Sequence, residues 1–221
     1  MSLFPVFLKL RGRPCLVVGA GRVGEAKVRS LLESDAAVHV VGPRAMETVK
    51  QWAREGKVTW QARSFKPSDL DGQFLVVVAT SSRRSNEQVY QEAVRRRLLC
   101  NVVDDTAHCD FYYGAVARCG PLQIAISTSG CSPALAQRLK RDLEAQFGRA
   151  YAAWVEQLGE TRRRLRARTM DPKRRQQLLH RLASREGYVA FLRSKTAKRL
   201  ARSSQCAPTA QITSGGRTHP K

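Results

Sequence analysis

The sequence predicts an α/β protein: a Rossmann-type, doubly wound parallel sheet, followed by a small α+β region and a C-terminal helical region. Three observations indicate this fold. An apolar run near the N-terminus breaks into three closely spaced glycines. Strand-like apolar runs then alternate with helical patterns as far as residue 103. Beyond residue 113 the pattern changes to a pair of short strands and several helices.

The first predicted strand, residues 15–18, leads through a glycine turn into a helix over 25–32. In such a turn Gly19 permits the sharp bend, Gly21 lets the backbone approach a pyrophosphate, and Gly24 allows the helix to pack closely on the strand. Phosphates then bind at the helix N-terminus, where N–H groups lack partners. The motif alone is weak evidence, and an ordinary glycine-rich turn is the alternative. The flanking strand and helix favour a dinucleotide site.

The other elements of the sheet follow in order. They are a strand over 37–41 that ends at 42–44, a helix over 45–54, strands over 58–62 and 74–79, a helix over 86–97 and a strand over 99–103. The continuous apolar run 74–79 is typical of the buried centre of a parallel sheet. Thr80 stands at its C-terminal end, where a ligand crevice is expected.

Residues 114–221 predict a different architecture. Strands over 115–118 and 122–126 are joined by a short turn, and a helix over 133–147 begins after Ser132. Two or three further helices fill 150–200, with a break at 170–172. The predicted domains are therefore 1–113, 114–148 and 149–202, with a disordered tail over 203–221.

The loop that precedes the helix over 133–147 carries the hydroxyls of Ser127, Thr128 and Ser129. Together with the helix N-terminus, these groups can bind a carboxylate. The alternative is simply a capped helix start.

Charge and composition exclude some classes of protein. The 221 residues carry a net charge of +21, and residues 160–221 alone hold 17 Lys/Arg against three Asp/Glu. Such a stretch can attract nucleic acid or help to hold a small polyanion.

No apolar run is long enough to span a bilayer, and no signal sequence is evident, so a cytoplasmic protein is expected. The six cysteines form no C-x-x-C pair and the four histidines have no metal-ligand spacing, so reduced thiols and no metal site are expected.

Two places in the crevice leave alternatives open. The acidic residue that usually binds the ribose is replaced by Val41, Gly42 and Pro43, and Arg44 follows. Taken alone, Arg44 suggests NADP, but backbone groups there can also hold an unphosphorylated ribose, or Arg44 is an ordinary solvated residue.

At the end of the fifth strand, the pair of aspartates at 104–105 offers a carboxylate as proton acceptor. The alternative is that these aspartates only form a turn. His108 lies nearby and is interpreted as a surface loop residue.

These stretches together resemble the precorrin-2 dehydrogenase family, which includes the dehydrogenase/ferrochelatase module of siroheme synthases. The matching segments run in family order through residues 4–8, 15–27, 100–105, 109–111 and 120–136. The resemblance implies NAD-dependent oxidation of precorrin-2 to sirohydrochlorin and, in members that also chelate, insertion of Fe²⁺. It also implies a homodimer whose interface is supplied by residues 114–148.

The resemblance assigns roles to individual residues. Asp104 matches the proposed catalytic base, and Arg22, Val23, Pro43 and Arg44 fall where the family contacts NAD, which favours NAD over NADP. Precorrin-2 carries eight carboxylates, so the basic surplus suits this substrate. The alternative is a nucleotide-sensing or nucleic-acid-binding protein that uses the Arg-rich stretch 162–168. It is less favoured because this stretch lacks interleaved aromatic residues and its apolar residues recur at helical spacing.

Overall fold

A computed structural model of the chain describes residues 3–168 and 170–204. The chain forms two compact units, of which the first ends at Tyr113 and the second begins at Gly114. Within the described ranges, no helix has the length and apolar character needed to cross a membrane.

The first unit is built on a five-stranded parallel sheet in the order β3-β2-β1-β4-β5. Its elements are β1 (Pro14–Ala20), α1 (Arg22–Leu32), β2 (Ala37–Ala45), α2 (Glu47–Arg54), β3 (Val58–Gln61), β4 (Leu75–Val78), α3 (Arg83–Arg95) and β5 (Leu99–Val102). Short 3₁₀ turns at Pro67–Leu70 and Thr106–His108 complete it. The predicted Rossmann-type sheet is thus confirmed.

Both faces of this sheet are buried, which explains why its central strands are continuously apolar. Val17 and Val77 face one core with Val28 of α1. Val76 and Val89 lie in the core on the other face. Because apolar residues on parallel strands alternate between two covered faces, no polar position interrupts β4.

Several predicted boundaries are wrong. Helix α1 begins at Arg22 rather than at residue 25, and α2 begins at Glu47 rather than at residue 45. Two further differences have a clear physical cause. β2 does not end at residues 42–44 but continues to Ala45, because a register shift after Val18 lets Ala20 pair with Ala45. Helix α3 begins at Arg83 rather than at residue 86. The Ser82 hydroxyl accepts a hydrogen bond from the Ser85 N–H at 3.2 Å and caps the helix.

Over residues 114–168 and 170–204, the second unit contains an antiparallel strand pair and four helices. These are β6 (Ala115–Cys119), β7 (Leu122–Ile126), α4 (Pro133–Gln146), α5 (Arg149–Arg166), α6 (Pro172–Leu182) and α7 (Arg185–Ser204). An aromatic contact joins α5 to α7, since the rings of Trp154 and Tyr188 lie 4.9 Å apart between centroids. Helix α7 extends two residues past the predicted start of the tail, and residues 205–221 lie outside the described part of the chain.

Candidate active site

A cleft of about 620 Å³ opens in the first unit at the C-terminal ends of β1, β2 and β4. It brings together eight residues that the sequence singles out: Gly19, Gly21, Arg22, Val23, Pro43, Arg44, Thr80 and Asp104. Gly24 does not line this cleft and lies buried directly beneath the turn. Polar residues that the sequence analysis did not single out also line the cleft, namely Arg63, Ser64, Ser81, Ser82 and Ser85.

The glycine turn is tightly packed at two of its positions and open at the third. Gly19 has a φ of +99°, and a Cβ there would stand 2.4 Å from the backbone oxygen of Ala79. A Cβ on Gly24 would stand 2.0 Å from the carbonyl oxygen of Gly19. By contrast, a Cβ on Gly21 would meet nothing within 4 Å. Positions 19 and 24 therefore need glycine for packing, whereas Gly21 leaves space on the cleft side.

Helix α1 begins at this turn without a side-chain cap. Gly21 is its N-cap residue and has extended backbone geometry. The N–H groups of the first helical turn therefore have no capping side chain and are available to an anion. The nearby acidic residue Glu25 forms an ion pair with Arg29 at 2.9 Å, which offsets its charge. These features fit the diphosphate of a dinucleotide cofactor.

The end of β2 forms a second wall of the cleft. Its Gly42 carbonyl accepts a hydrogen bond from the Trp60 indole at 3.1 Å, which fixes the backbone at the position where a ribose would lie. Arg44 is exposed, and within the described residues its guanidinium forms no ion pair.

No sequence motif points to Arg63, because this residue reaches the cleft only through the tertiary fold. It donates two hydrogen bonds to the Asp69 carboxylate, at 2.9 and 2.6 Å. These bonds lower the pKa of Asp69 and offset much of the Arg63 charge. Arg44 is consequently the less compensated cation on this side.

Asp104 lies in the turn that follows β5, after Val103, and is exposed in the cleft. Its φ of +62° is a left-handed conformation that non-glycine residues adopt infrequently. Within the described part of the chain, its carboxylate accepts no hydrogen bond and forms no close ion pair. It is therefore available to accept a proton from a ligand.

The neighbouring Asp105 has a different role. Its carboxylate lies 2.7 Å from Nδ1 of His108, and Nε2 of that ring is 3.5 Å from the Glu87 carboxylate. The hydrogen bond raises the pKa of His108 and lowers that of Asp105. The Cys109 thiol also donates to the Asp105 carbonyl at 3.1 Å. These contacts hold in place the loop that carries Asp104.

Lys27 is a further charged residue near this loop. Its ammonium nitrogen lies 3.7 Å from the centroid of the Tyr113 ring. Burial lowers the pKa of Lys27, while the charges of Asp104 and Cys109 oppose this shift. Lys27 thus supplies a positive charge that acts on Asp104 without forming a direct ion pair with it.

Thr80 follows β4 and organises the serine-rich segment beside it. Its hydroxyl lies 2.6 Å from Oδ1 of Asn86 and accepts a hydrogen bond from the Ser82 N–H at 3.1 Å. Thr80 therefore shapes this wall of the cleft through local hydrogen bonds.

The predicted substrate loop belongs to the second unit. The Ser127 hydroxyl accepts from the Ser129 N–H at 3.1 Å, and the Thr128 hydroxyl accepts from the Ser132 N–H at 3.0 Å. Ser129 has a φ of +50°. The hydroxyl protons of Ser127 and Thr128 remain available for donation to an anionic ligand.

Among the described residues, no cysteine lines the cleft, and Asp104 is the only His, Cys, Asp or Glu residue that does. Five cysteines of the described ranges are free thiols: Cys15, Cys100, Cys109, Cys119 and Cys131. Burial raises the pKa of Cys15 to about 11. In the same ranges, no three His, Cys, Asp or Glu side chains are grouped as metal ligands.

Comparisons with known proteins give consistent matches. Residues 6–115 match a family model for NAD(P)-binding domains, and residues 120–146 match the central domain of sirohaem biosynthesis proteins. Siroheme synthase 1 of Aeromonas hydrophila is 37% identical over 167 residues, which are 76% of this chain and 36% of that protein. The siroheme synthase of Photorhabdus laumondii is 36% identical over 175 residues, 79% of this chain and 37% of that protein. The chain thus spans little more than a third of the length of these relatives.

A solved structure, "SirC, precorrin-2 dehydrogenase", superposes with a TM-score of 0.72 at 27% sequence identity. The match covers 87% of this chain and 98% of that one. The likeness therefore extends beyond the dinucleotide-binding unit into the residues after 113.

Proposed function

The chain belongs to the precorrin-2 dehydrogenase family, which also forms the N-terminal module of siroheme synthases, and we propose that it oxidises precorrin-2 to sirohydrochlorin with NAD⁺. One observation carries this proposal. The glycine turn before α1 and the unpaired carboxylate of Asp104 line the same cleft. A dinucleotide site and a proton acceptor are the two parts that such an oxidation requires.

The reaction removes two electrons and two protons from the macrocycle, as one hydride and one proton. Bound NAD⁺ supplies the acceptor for the hydride. The Asp104 carboxylate takes the accompanying proton, so that sirohydrochlorin, NADH and H⁺ are formed. Lys27 places a positive charge near the loop that carries this carboxylate.

Residues of the cleft would hold the cofactor. The N-terminus of α1 has no side-chain cap, so its N–H groups can bind the ligand. The first-turn N–H groups after Gly21 bind the diphosphate, with Arg22 and Val23 at the same helix end. The backbone around Pro43 and the Arg44 side chain lie at the ribose position. We propose NAD rather than NADP because the family contacts NAD at these positions.

The substrate loop is proposed to bind carboxylates of precorrin-2. Ser127 and Thr128 retain hydroxyl donors, and Ser129 lies beside them in the same exposed loop. Eight substrate carboxylates require donors and positive charge, which the basic chain provides.

Insertion of Fe²⁺ into sirohydrochlorin is a second candidate activity. The observation that favours it is again the unpaired Asp104 carboxylate, which can accept the protons that leave the pyrrole nitrogens. In this step Fe²⁺ is a substrate.

We further propose a cytoplasmic homodimer. Free thiols are typical of a reducing compartment. Strands β6 and β7 pair only with each other among the described residues, and a two-stranded sheet gains stability when another chain extends it. Light scattering coupled to size-exclusion chromatography measures the oligomeric state, and a monomeric mass would contradict the dimer.

The function is tested by an anaerobic assay with precorrin-2 and NAD⁺, followed by optical spectroscopy. We expect the sirohydrochlorin spectrum to develop only when NAD⁺ is present. Fe²⁺ is then added, and conversion to sirohaem faster than in a protein-free control supports chelation. If no NAD⁺-dependent change occurs, the dehydrogenase proposal is wrong. A dehydrogenase step without accelerated iron insertion would remove only the second activity.

A further inference from the structure

Helices α5 and α6 of the second unit enclose a cleft of about 340 Å³ that the proposed reaction does not use. Arg162 and Arg166 line it from α5, one helical turn apart. Arg175, Gln176 and His180 line it from α6. Three arginine side chains thus line one cleft, and their like charges repel one another.

The charges of these arginines are not neutralised within the protein. Among the described residues, Arg162, Arg166 and Arg175 form no ion pair and no side-chain hydrogen bond. Acidic residues close to them in the chain are otherwise engaged. Glu160 pairs with Arg164 at 3.7 Å, and the Asp171 carboxylate accepts from the Arg174 N–H at 2.8 Å as the cap of α6.

We propose that this cleft is an anion-binding site for a small ligand that carries at least two linked phosphate or carboxylate groups. Guanidinium groups bind both kinds of oxyanion through paired N–H donors. Three of them exceed what a single oxyanion needs, and the Gln176 amide adds a further donor. The volume accommodates a diphosphate or a pair of neighbouring carboxylates, but not a folded domain.

The proposal goes beyond the dehydrogenase function and does not depend on it. Two kinds of ligand carry such linked anionic groups: a phosphorylated metabolite and a polycarboxylate such as a tetrapyrrole. The probes are therefore inorganic pyrophosphate and uroporphyrin, a stable porphyrin with eight carboxylates. Tighter binding of one probe at the cleft identifies the source.

Binding is measured by isothermal titration calorimetry on the full chain in about 0.15 M salt, where weak surface attraction is screened. NAD⁺ is kept in excess so that the glycine turn before α1 is not available to pyrophosphate. The comparison between variants keeps its meaning even if NAD⁺ does not bind, because all of them carry the same turn.

The test variant is Arg162→Gln with Arg166→Gln. Its matched control is Arg163→Gln with Arg168→Gln, which removes the same number of charges close to the same end of α5, outside the cleft lining and without breaking an ion pair. We expect at least a tenfold loss of affinity for the better probe in the test variant and less than a twofold loss in the control. Equal losses in the two variants would mean general charge attraction and would overturn the proposal, as would no binding of either probe to the wild-type chain.

Melting temperatures, measured with and without the probe, show whether a variant loses binding because it is misfolded. The probe should raise the melting temperature of the wild-type chain, because it binds only the folded state and relieves repulsion between the arginines. The charge-conserving variant Arg175→Lys should fold and yet lose part of this increase, since an ammonium group cannot form the paired bonds. An unchanged increase in Arg175→Lys would contradict the assigned role of this side chain.

Discussion

The Asp105 carboxylate lies 2.7 Å from Nδ1 of His108, and this bond separates the roles of two adjacent aspartates. Asp105 fastens its loop, whereas Asp104 keeps its carboxylate unpaired in the cleft. Both aspartates follow β5, so their position alone could not divide the turn-forming and the chemical role between them, and only the family resemblance pointed to Asp104 as the base.

The bond between Asp105 and His108 makes stability depend on pH. The pKa of His108 is raised in the folded state, so this contribution is full below the ordinary value of about 6.5 and is lost as pH rises through the folded-state pKa. The pKa of Asp105 is lowered, so the contribution is also lost as pH falls below the ordinary carboxyl range toward the folded-state value. We expect His108→Gln to lower the melting temperature most near pH 5 and least near pH 9. The same decrease at both pH values would contradict the paired state.

The glycine turn gives a prediction about stability. Gly19→Ala places a Cβ 2.4 Å from the Ala79 oxygen at a φ of +99°, so the turn must move. We expect a loss of more than about 2 kcal/mol in the free energy of unfolding, together with weaker NAD⁺ binding. Gly12→Ala is the matched control, because Gly12 also has a positive φ, of +69°, but nothing within 4 Å. It should cost about 1 kcal/mol and leave NAD⁺ binding unchanged. Chemical denaturation and calorimetry measure both quantities.

Much of this site could be predicted because its signals are local. The strand before Gly19 and the helix after it are consecutive in the sequence, and the glycine spacing needs no tertiary information. The place of Asp104 follows from one topological rule, since the C-terminal ends of parallel strands lie at the same edge of the sheet.

Features that depend on distant residues could not be predicted. The extension of β2 to Ala45 requires a register shift in β1 that pairs it with Ala20. Arg63 reaches the cleft from the segment after β3, where its ion pair with Asp69 has no distinctive sequence pattern. The cleft between α5 and α6 depends on how two helices pack, which an arginine-rich sequence does not reveal.

Arg44 gives a test of cofactor choice. If the cofactor is NAD, its guanidinium has no 2′-phosphate to bind, and Arg44→Ala should change the affinity for NAD⁺ by less than about threefold. Any residual binding of NADP⁺ should fall by about tenfold or more, since a charged hydrogen bond is lost. Fluorescence titration with both dinucleotides measures this. Tighter binding of NADP⁺ than of NAD⁺ by the wild-type chain would contradict the proposed cofactor.

The decisive variant for the chemistry is Asp104→Asn. Asparagine tolerates the left-handed backbone at this position, where φ is +62°, so the fold and NAD⁺ affinity should be retained. The amide cannot take a proton as the carboxylate does, and we expect kcat for the oxidation of precorrin-2 to fall by about 100-fold or more.

Asp105→Asn is the control for Asp104→Asn, because it removes the neighbouring charge and weakens the bond to His108 but leaves the proposed base in place. It should lower the melting temperature while keeping most of the dehydrogenase activity. Fe²⁺ insertion, measured separately from sirohydrochlorin, should fall in Asp104→Asn if the same carboxylate receives the pyrrole protons. Near-native oxidation of precorrin-2 by Asp104→Asn would show that the proton goes to another group, and Lys27, whose charge interacts with that of Asp104, would then be the next residue to replace.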